Sequence, residues 1–331
     1  MKKKSLFVLL CILLLTMTTV FGCNGKSEKS SEQEGKQALV FPESTITFVC
    51  WSSAGSPLDT FMRQLAQAAE KELGQSIVVD NRTGGSGAVA MSYVNSLPAD
   101  GYTVLSTTGS MTFSMATNVV PFSADDFTYL TTAQAEPSSI AVLKDSPLET
   151  LEDFVNYLKA NPNGVSIGGF AAGGFHNFVM HKFKKAAGFE ATWIPFEGGA
   201  DAVTALLGGH IDVAFITPSS ALSQIQDGNI RLLAISTPER SVNFPDVPTF
   251  KEKGYDVVEM LWRGVMAKKG IPEDVQEVLI DAFLKAFESP EFKKYMQDFY
   301  QEEFVVSGEE MRALINREVE ERTSFARELG L

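Results

Sequence analysis

The sequence predicts an α/β protein of two lobes, with mixed, mostly parallel sheets and a cleft between the lobes. Three observations carry that expectation. Strand-like and helix-like runs alternate through most of the chain, the pattern of sheets covered by helices on both faces. Turns of Gly, Ser and Thr recur where strands end, the side on which open α/β sheets bind ligands. The helical block after Ala267 has no strands of its own, so it must cover a sheet made by an earlier part of the chain.

The elements follow in chain order. Lys2, Lys3 and Lys4 form a basic start, and Leu6 to Leu15 is an apolar run too short for a stable membrane span. Val20-Phe21-Gly22-Cys23 resembles a lipobox, so residues 1–22 read as a lipoprotein signal peptide with Cys23 as the lipidation site. The polar residues that follow, within 23–42, read as a flexible tether. Ile46 to Trp51 reads as a strand and Leu58 to Leu73 as an amphipathic helix stopped by Gly74. Ser76 to Asp80, Tyr102 to Ser106, Phe127 to Thr131 and Ser139 to Leu143 are further strand-like runs, with a helix at Ser86 to Ser96.

A second block repeats the alternation. Thr150 to Ala160 is helical, and the strand at Val165 to Ile167 runs into the turn GGFAAGGFHNF and a helix ending at Ala187. Ala191 to Pro195, His210 to Ile216 and Arg231 to Ser236 read as strands, with helices at Asp201 to Leu207 and Ala221 to Gln226. Val257 to Ala267 returns as a strand before helices at Pro272 to Phe287, Pro290 to Tyr300 and Gly308 to Leu329. The chain would then pass between lobes near Ala141 and Val258. Residues 43–141 plus 258–331 would form lobe 1, and 142–257 lobe 2.

Charge and composition narrow the function. The formal net charge is −13, more negative still without Lys2 to Lys4, which argues against nucleic acid. Of three cysteines, Cys11 leaves with the signal and Cys23 takes the lipid. That leaves Cys50 as a buried core thiol with no partner for a disulfide. Catalysis is poorly supported. His176 and His181 miss the i,i+4 spacing of a zinc helix, and no Ser sits in a nucleophile elbow. The glycine turn is not a Walker loop either, because Gly174 and Phe175 stand where Lys and Ser or Thr would be needed. What remains is a turn presenting backbone N–H groups at a helix start, which suits a small oxyanion.

GQSIVVDNRTGGSGAVA (Gly74 to Ala90), LPADGYTVL (Leu97 to Leu105), ALLGGHIDVAF (Ala205 to Phe215) and PDVPTFKEKGY (Pro245 to Tyr255) come in that order. Together they resemble the substrate-binding proteins of tripartite tricarboxylate transporters, the TctC/Bug family. The resemblance implies a type II periplasmic-binding (Venus flytrap) fold that captures a small organic carboxylate and delivers it to a membrane permease, without chemistry or cofactor. It places ligand loops at Trp51, Ser52, Ser53, Gly55, Ser56 and Asp59, and at Thr107 and Thr108. It adds Phe170, Ala171, Gly173, Gly174, Phe175 and His176, then Gly198, Gly199 and Ala200, and finally Thr217, Trp262 and Arg263. Glycines at 168, 169, 173 and 174 replace family serines and Phe170 replaces a glycine, which moves recognition from hydroxyls toward backbone N–H and aromatic surface. Arg263, in place of an apolar residue, either clamps a carboxylate or pairs with a neighbouring acid. Asp59 either caps its loop's backbone or acts through water.

The expected protein is therefore an extracytoplasmic, lipid-anchored monomer whose partners are a di-, tri- or aromatic carboxylate and permease subunits, with no metal. A sensor presenting the acid to a histidine kinase shares the same features, and a secreted hydrolase is the reading from a different class.

Overall fold

The computed structural model describes residues 40–196 and 198–330. The signal peptide, Cys23 and most of the tether lie outside them. The end of the tether segment is packed: the Phe41 ring lies 5.0 Å from Tyr102.

In the first lobe, β1 (Ile46–Cys50) leads to α1 (Pro57–Leu73), β2 (Ile77–Asn81), α2 (Ala88–Ser96), β3 (Thr103–Thr108), α3 (Gly109–Ala116) and β4 (Phe127–Pro137). The second lobe holds β5 (Ser139–Leu143), α4 (Leu151–Ala160), β6 (Ile167–Phe170), α5 (Phe175–Ala187) and β7 (Trp193–Phe196). It continues through α6 (Gly199–Leu207), β8 (Val213–Ile216), α7 (Leu222–Gln226) and β9 (Ile230–Ile235). The chain returns with β10 (Met260–Lys268), α8 (Glu273–Phe287), α9 (Pro290–Asp298), β11 (Glu302–Glu303) and α10 (Gly308–Leu329). The sheets have the orders β11-β4-β10-β3-β1-β2 and β7-β6-β8-β5-β9.

Both sheets are evenly mixed rather than mostly parallel. β1 pairs parallel with β2 and β3, and β6 with β7 and β8, whereas β4, β5, β9, β10 and β11 make antiparallel pairs. The returning strand β10 causes this in the first sheet, because it enters between β3 and β4 in the opposite sense. β4 also runs six residues past Thr131, where Ala133 to Pro137 lacks strong β-formers. Its register with β10, from Lys268↔Phe127 to Met260↔Pro137, shows that pairing overrides local propensity there.

The start of α1 shows how local signals set an element. The Ser56 hydroxyl accepts from Asp59 N–H (3.2 Å), Pro57 opens the helix, and Gly74 ends it at φ 66°. Its apolar stripe (Phe61, Met62, Leu65) packs with α8 and α9 on one face of the first sheet, while α2, α3 and α10 cover the other. The second sheet is likewise enclosed, by α4 and α5 on one face and α6 on the other. Among the described residues no helix is long and apolar enough to cross a membrane.

The passage between sheets falls at Ser138, three residues before the predicted position, so Ala141 already pairs within the second sheet. There the crossings are tied together. Ser138 N–H donates to Ser236 Oγ (2.8 Å), and Ser236 N–H to the Ser138 carbonyl (2.9 Å). Glu259 N–H donates to the Ser236 carbonyl (3.0 Å). The last helix departs from the expected assignment to lobe 1 alone: Met311 and Ile315 enter the first lobe's core, but Phe325 packs 5.0 Å from Phe178 in the second lobe's core. α10 is a strap across both lobes.

Candidate functional site

A cavity between the lobes, called the main cavity because the expected ligand turns open on it, holds about 420 Å³. The first lobe supplies Trp51 after β1, Ser86 in the turn before α2, Ser110, Phe113, Ser114 and Thr117 on and just after α3, and Val119 beyond. The second lobe supplies the turn Phe170 to Phe175 between β6 and α5. The backbone here is contorted: Ser86 and Ala171 both sit at φ 52°, and Gly173 at φ 71°. Non-glycine residues rarely hold such angles unless their surroundings impose them, and they concentrate at functional sites.

Packing explains the glycines that open this turn. A Cβ at Gly169 would lie 2.6 Å from the Phe215 carbonyl oxygen and 2.6 Å from the Trp193 ring. One at Gly168 would meet Phe196 at 2.6 Å. Trp193 then fixes the turn by donating its Nε1–H to the Ala171 carbonyl (2.9 Å). Gly169→Ala is therefore expected to cost about 1–3 kcal/mol by overpacking against backbone, measured by urea unfolding.

The helix ends around the cavity are unusual. A helix start leaves N–H groups without intrahelical partners, and a side-chain cap or an acid in the first turn commonly serves them. Among the described helices of eight residues or more, only α2 and α5 have neither. They begin at the cavity from opposite lobes, beside Ser86 and at Gly174. α3 also starts there without an acid, capped only by Thr108. Among the described residues no Lys, Arg or His side chain lines this cavity.

A smaller cavity of about 150 Å³ lies elsewhere along the interlobe seam, between Gly55, Glu136, Arg263 and Gln301 of the first lobe and Ser219 and Ser220 of the second. Its charges are committed to each other. Arg263 Nη1 donates to Glu136 Oε1 (3.2 Å) and Gln301 Oε1 (2.8 Å), and Gln301 Nε2 donates to Glu136. From the second lobe, Ser219 Oγ donates to Glu136 Oε2 (2.7 Å). Burial would raise the Glu136 carboxyl, but the Arg263 charge and the Ser219 and Gln301 donors outweigh it and hold the group below its usual range.

Of the residues expected at the ligand, Trp51, Phe170, Ala171, Gly173, Gly174 and Phe175 line the main cavity, although the Gly173 N–H is already bonded to Asn177 Oδ1 (3.0 Å). Gly55 and Arg263 line the smaller one, and Arg263 pairs with an acid rather than standing free as a clamp. The others have structural work and line neither cavity. Asp59 accepts from Gly55 N–H (2.8 Å), Asn81 Nδ2 (2.8 Å) and Arg63 Nε (2.9 Å), so it holds its loop's backbone. Burial opposes ionisation of Asp59, yet the bonds from Arg63, Gly55 and Asn81 prevail and lower its pKa. Ser52 accepts from Asn81 through its carbonyl, Ser53 from Ser56 N–H through its own, and Ser56 is the cap of α1. Thr107 is buried against Met111, and Thr108 caps α3.

His176 Nδ1 lies 2.8 Å from Ser138 Oγ at the crossing, behind the cavity. Burial pushes its pKa down to about 4 against the pull of Glu136, so the ring is neutral. Trp262 is buried in the first lobe and donates to Glu318 Oε1 (3.0 Å). Thr217 shares a hydroxyl cluster with Ser220 (2.9 Å), and Gly199 packs closely against Ser220, with Gly198 and Ala200 beside it. Ser86, Ser110, Phe113, Ser114, Thr117 and Val119 of the main cavity and Glu136 of the smaller one are not among the expected ligand residues. Ser86 was visible in the motif TGGSGA, where three glycines around one serine signal a strained turn.

Two covered sheets, tied crossings and an interlobe cavity define a two-lobed solute-binding protein. The family model described as tripartite tricarboxylate transporter family receptor, TctC, matches residues 61–331, and the chain belongs to that family. It is 30% identical to the UPF0065 protein in the gbd 5'region of Cupriavidus necator, over 89% of this chain and 90% of that one. A TctC solute-binding protein from Polaromonas, solved without ligand, superposes with a TM-score of 0.77 at 25% identity, covering 87% of this chain and 99% of the other. Rpa4515 of R. palustris, solved with adipate, gives a TM-score of 0.76 at 26% identity, covering 88% and 98%. The family and these neighbours are binding proteins rather than enzymes.

Proposed function

We propose that the protein captures a small organic carboxylate in the cavity between its lobes and hands it to the permease subunits of a tripartite tricarboxylate transporter. It works as an extracytoplasmic monomer anchored through a lipid on Cys23. The observation that carries the binding reading is the pair of uncapped, acid-free helix starts, α2 and α5, facing one cavity from opposite lobes. Each dipole favours an anion by about 0.3–1 kcal/mol, and by up to about 2 when partly buried. An anion bridging both lobes also favours the closed arrangement, because each lobe alone offers only part of its contacts. The adipate in Rpa4515 supports the same ligand chemistry, and membership of the receptor family supports the permease as partner.

Thermal unfolding of the purified protein against di- and tricarboxylates, aromatic acids, amino acids, phosphate and sugars tests this. A bound acid at about 100 times its Kd adds roughly 2.7 kcal/mol, which raises Tm by about 5–10 °C for a chain of this size. A shift with a sugar or phosphate and none with any acid would overturn the carboxylate reading.

A further inference from the structure

We infer that the acid bound in the main cavity carries a single carboxylate on a flat, uncharged apolar body, an aryl acid being the simplest case. This inference rests on the carboxylate reading above and narrows it. The first ground is what the cavity lacks. Its lining holds no basic side chain, and its anion-favouring features are helix starts and hydroxyls, chiefly Ser86, Ser110 and the α5 turn.

The basic groups in its surroundings are already engaged, including Arg322, which lies 5.1 Å from the Phe113 ring centre and pairs with Glu259 and Glu321. Arg263 is paired with Glu136, Arg63 with Asp59, and Lys182 with Glu259. Arg82 pairs with Asp80 and lies 3.4 Å from the centre of the Tyr93 ring, while His176 is neutral at the crossing. With one carboxylate bridging the two helix starts, a second would be desolvated against the remaining wall without a counter-charge, which burial penalises severely.

The second ground is the wall itself. Phe113 is held edge-on by Phe178 (5.7 Å) and Phe325 (6.3 Å), so it forms a fixed apolar face. Phe170 and Val119, one from each lobe, stay 39% and 55% exposed at the cavity. An apolar body lying between them would remove that surface from water. Trp51 adds an indole whose buried Nε1–H has no acceptor among the described residues. A flat ligand can stack on such aromatic surface, and a heteroatom on it can take up that N–H.

Calorimetric titration of the purified protein with benzoate, phenylacetate, 3-phenylpropionate, adipate, citrate and the three aryl amides tests the inference. At least one aryl acid is expected to bind tenfold or more tightly than adipate and citrate, and at least tenfold more tightly than its own amide. Adipate or citrate binding better than every aryl acid would overturn the single-carboxylate inference and leave the carboxylate reading intact. Amides binding as well as their acids would overturn both. No aryl acid binding at millimolar concentration would overturn the inference. Phe170→Ala provides a second readout, with each variant's binding measured against its own ligand-free Tm. The favoured aryl acid is expected to weaken about tenfold in that variant, more than adipate does, and a change under twofold would remove the apolar wall from the account.

Discussion

Replacing Arg263 with methionine is expected to lower the free energy of unfolding by about 3–5 kcal/mol, the cost of stranding a buried charge. Arg263 and Glu136 are 7% and 2% exposed, so neither has water to fall back on. The Arg263 charge is the largest of the influences that hold the Glu136 carboxyl below its usual range against burial. Without it, Glu136 keeps Ser219 and Gln301 as donors but loses its only charge partner in the cluster. The paired change Glu136→Gln with Arg263→Met should recover most of the loss, because no charge is then left uncompensated. Urea unfolding of Arg263→Met, Glu136→Gln and the double variant gives the coupling between the two sites directly. A loss under 1 kcal/mol for Arg263→Met alone would mean that the carboxylate finds water or a proton at little cost.

Arg263 also illustrates what a linear sequence can reveal. An arginine next to Trp262 and Gly264 in a strand is plainly a buried-strand residue of interest, and both a ligand clamp and an acid partner are consistent with that position. Which one holds depends on Glu136, more than a hundred residues earlier, and Gln301, later in the chain. The two meet Arg263 only because β10 inserts beside β4. His176 and Trp262 follow the same rule: motif position marks them as special, but the neighbours that engage them, Ser138 and Glu318, are set by the crossing and by the strap.

Elements with local signals were read to within a few residues. α1 carries a cap, a proline start and a glycine stop, and α10 was bounded correctly from Gly308 to Leu329. The turn GGFAAGGFHNF was legible as strand, turn and helix, and it contributes one wall of the cavity. The opposite wall was lost because α3, with the sequence GSMTFSMA, mixes good and poor helix formers over only eight residues. It is helical because Thr108 caps it, a local signal, and because α10 packs along it, a contact that no window around Gly109 contains. Phe113, Ser114 and Thr117 are hidden with that helix.

The strap makes a second large effect, and it depends on pH. Glu318 of α10 accepts from Trp262 Nε1 (3.0 Å) and Thr112 Oγ1 (3.2 Å), with Arg322 at 3.8 Å. Burial pushes its pKa up to about 7 from an ordinary 4.5, with Glu259 adding to the rise while Arg322, Trp262 and Thr112 oppose it. Between those two values the folded protein holds a proton that the unfolded chain has released, so stability falls as pH rises through the window. The full loss is about 3 kcal/mol above pH 7. His176 has the opposite sign. Its pKa falls to about 4 from 6.5, so the unfolded chain takes up a proton first and stability falls as pH drops across that interval, again by about 3 kcal/mol.

Between pH 4.5 and 6.5 the two slopes oppose each other, and the unchanged protein hides both contributions. Single variants expose them. The stability of Glu318→Gln relative to the parent is expected to rise by about 3 kcal/mol between pH 4 and 8, whereas that of His176→Gln should rise by a similar amount in the other direction. Urea unfolding at several pH values reads both, and a difference for Glu318→Gln that stays constant with pH would mean that the carboxyl titrates at its ordinary value. Thr112 sits one residue before Phe113 on the cavity wall, and Arg322 lies 4.2 Å from the Phe178 ring in the second lobe. The proton on Glu318 therefore sits where the strap touches both lobes, and its loss is expected to strain their apposition before it unfolds either one.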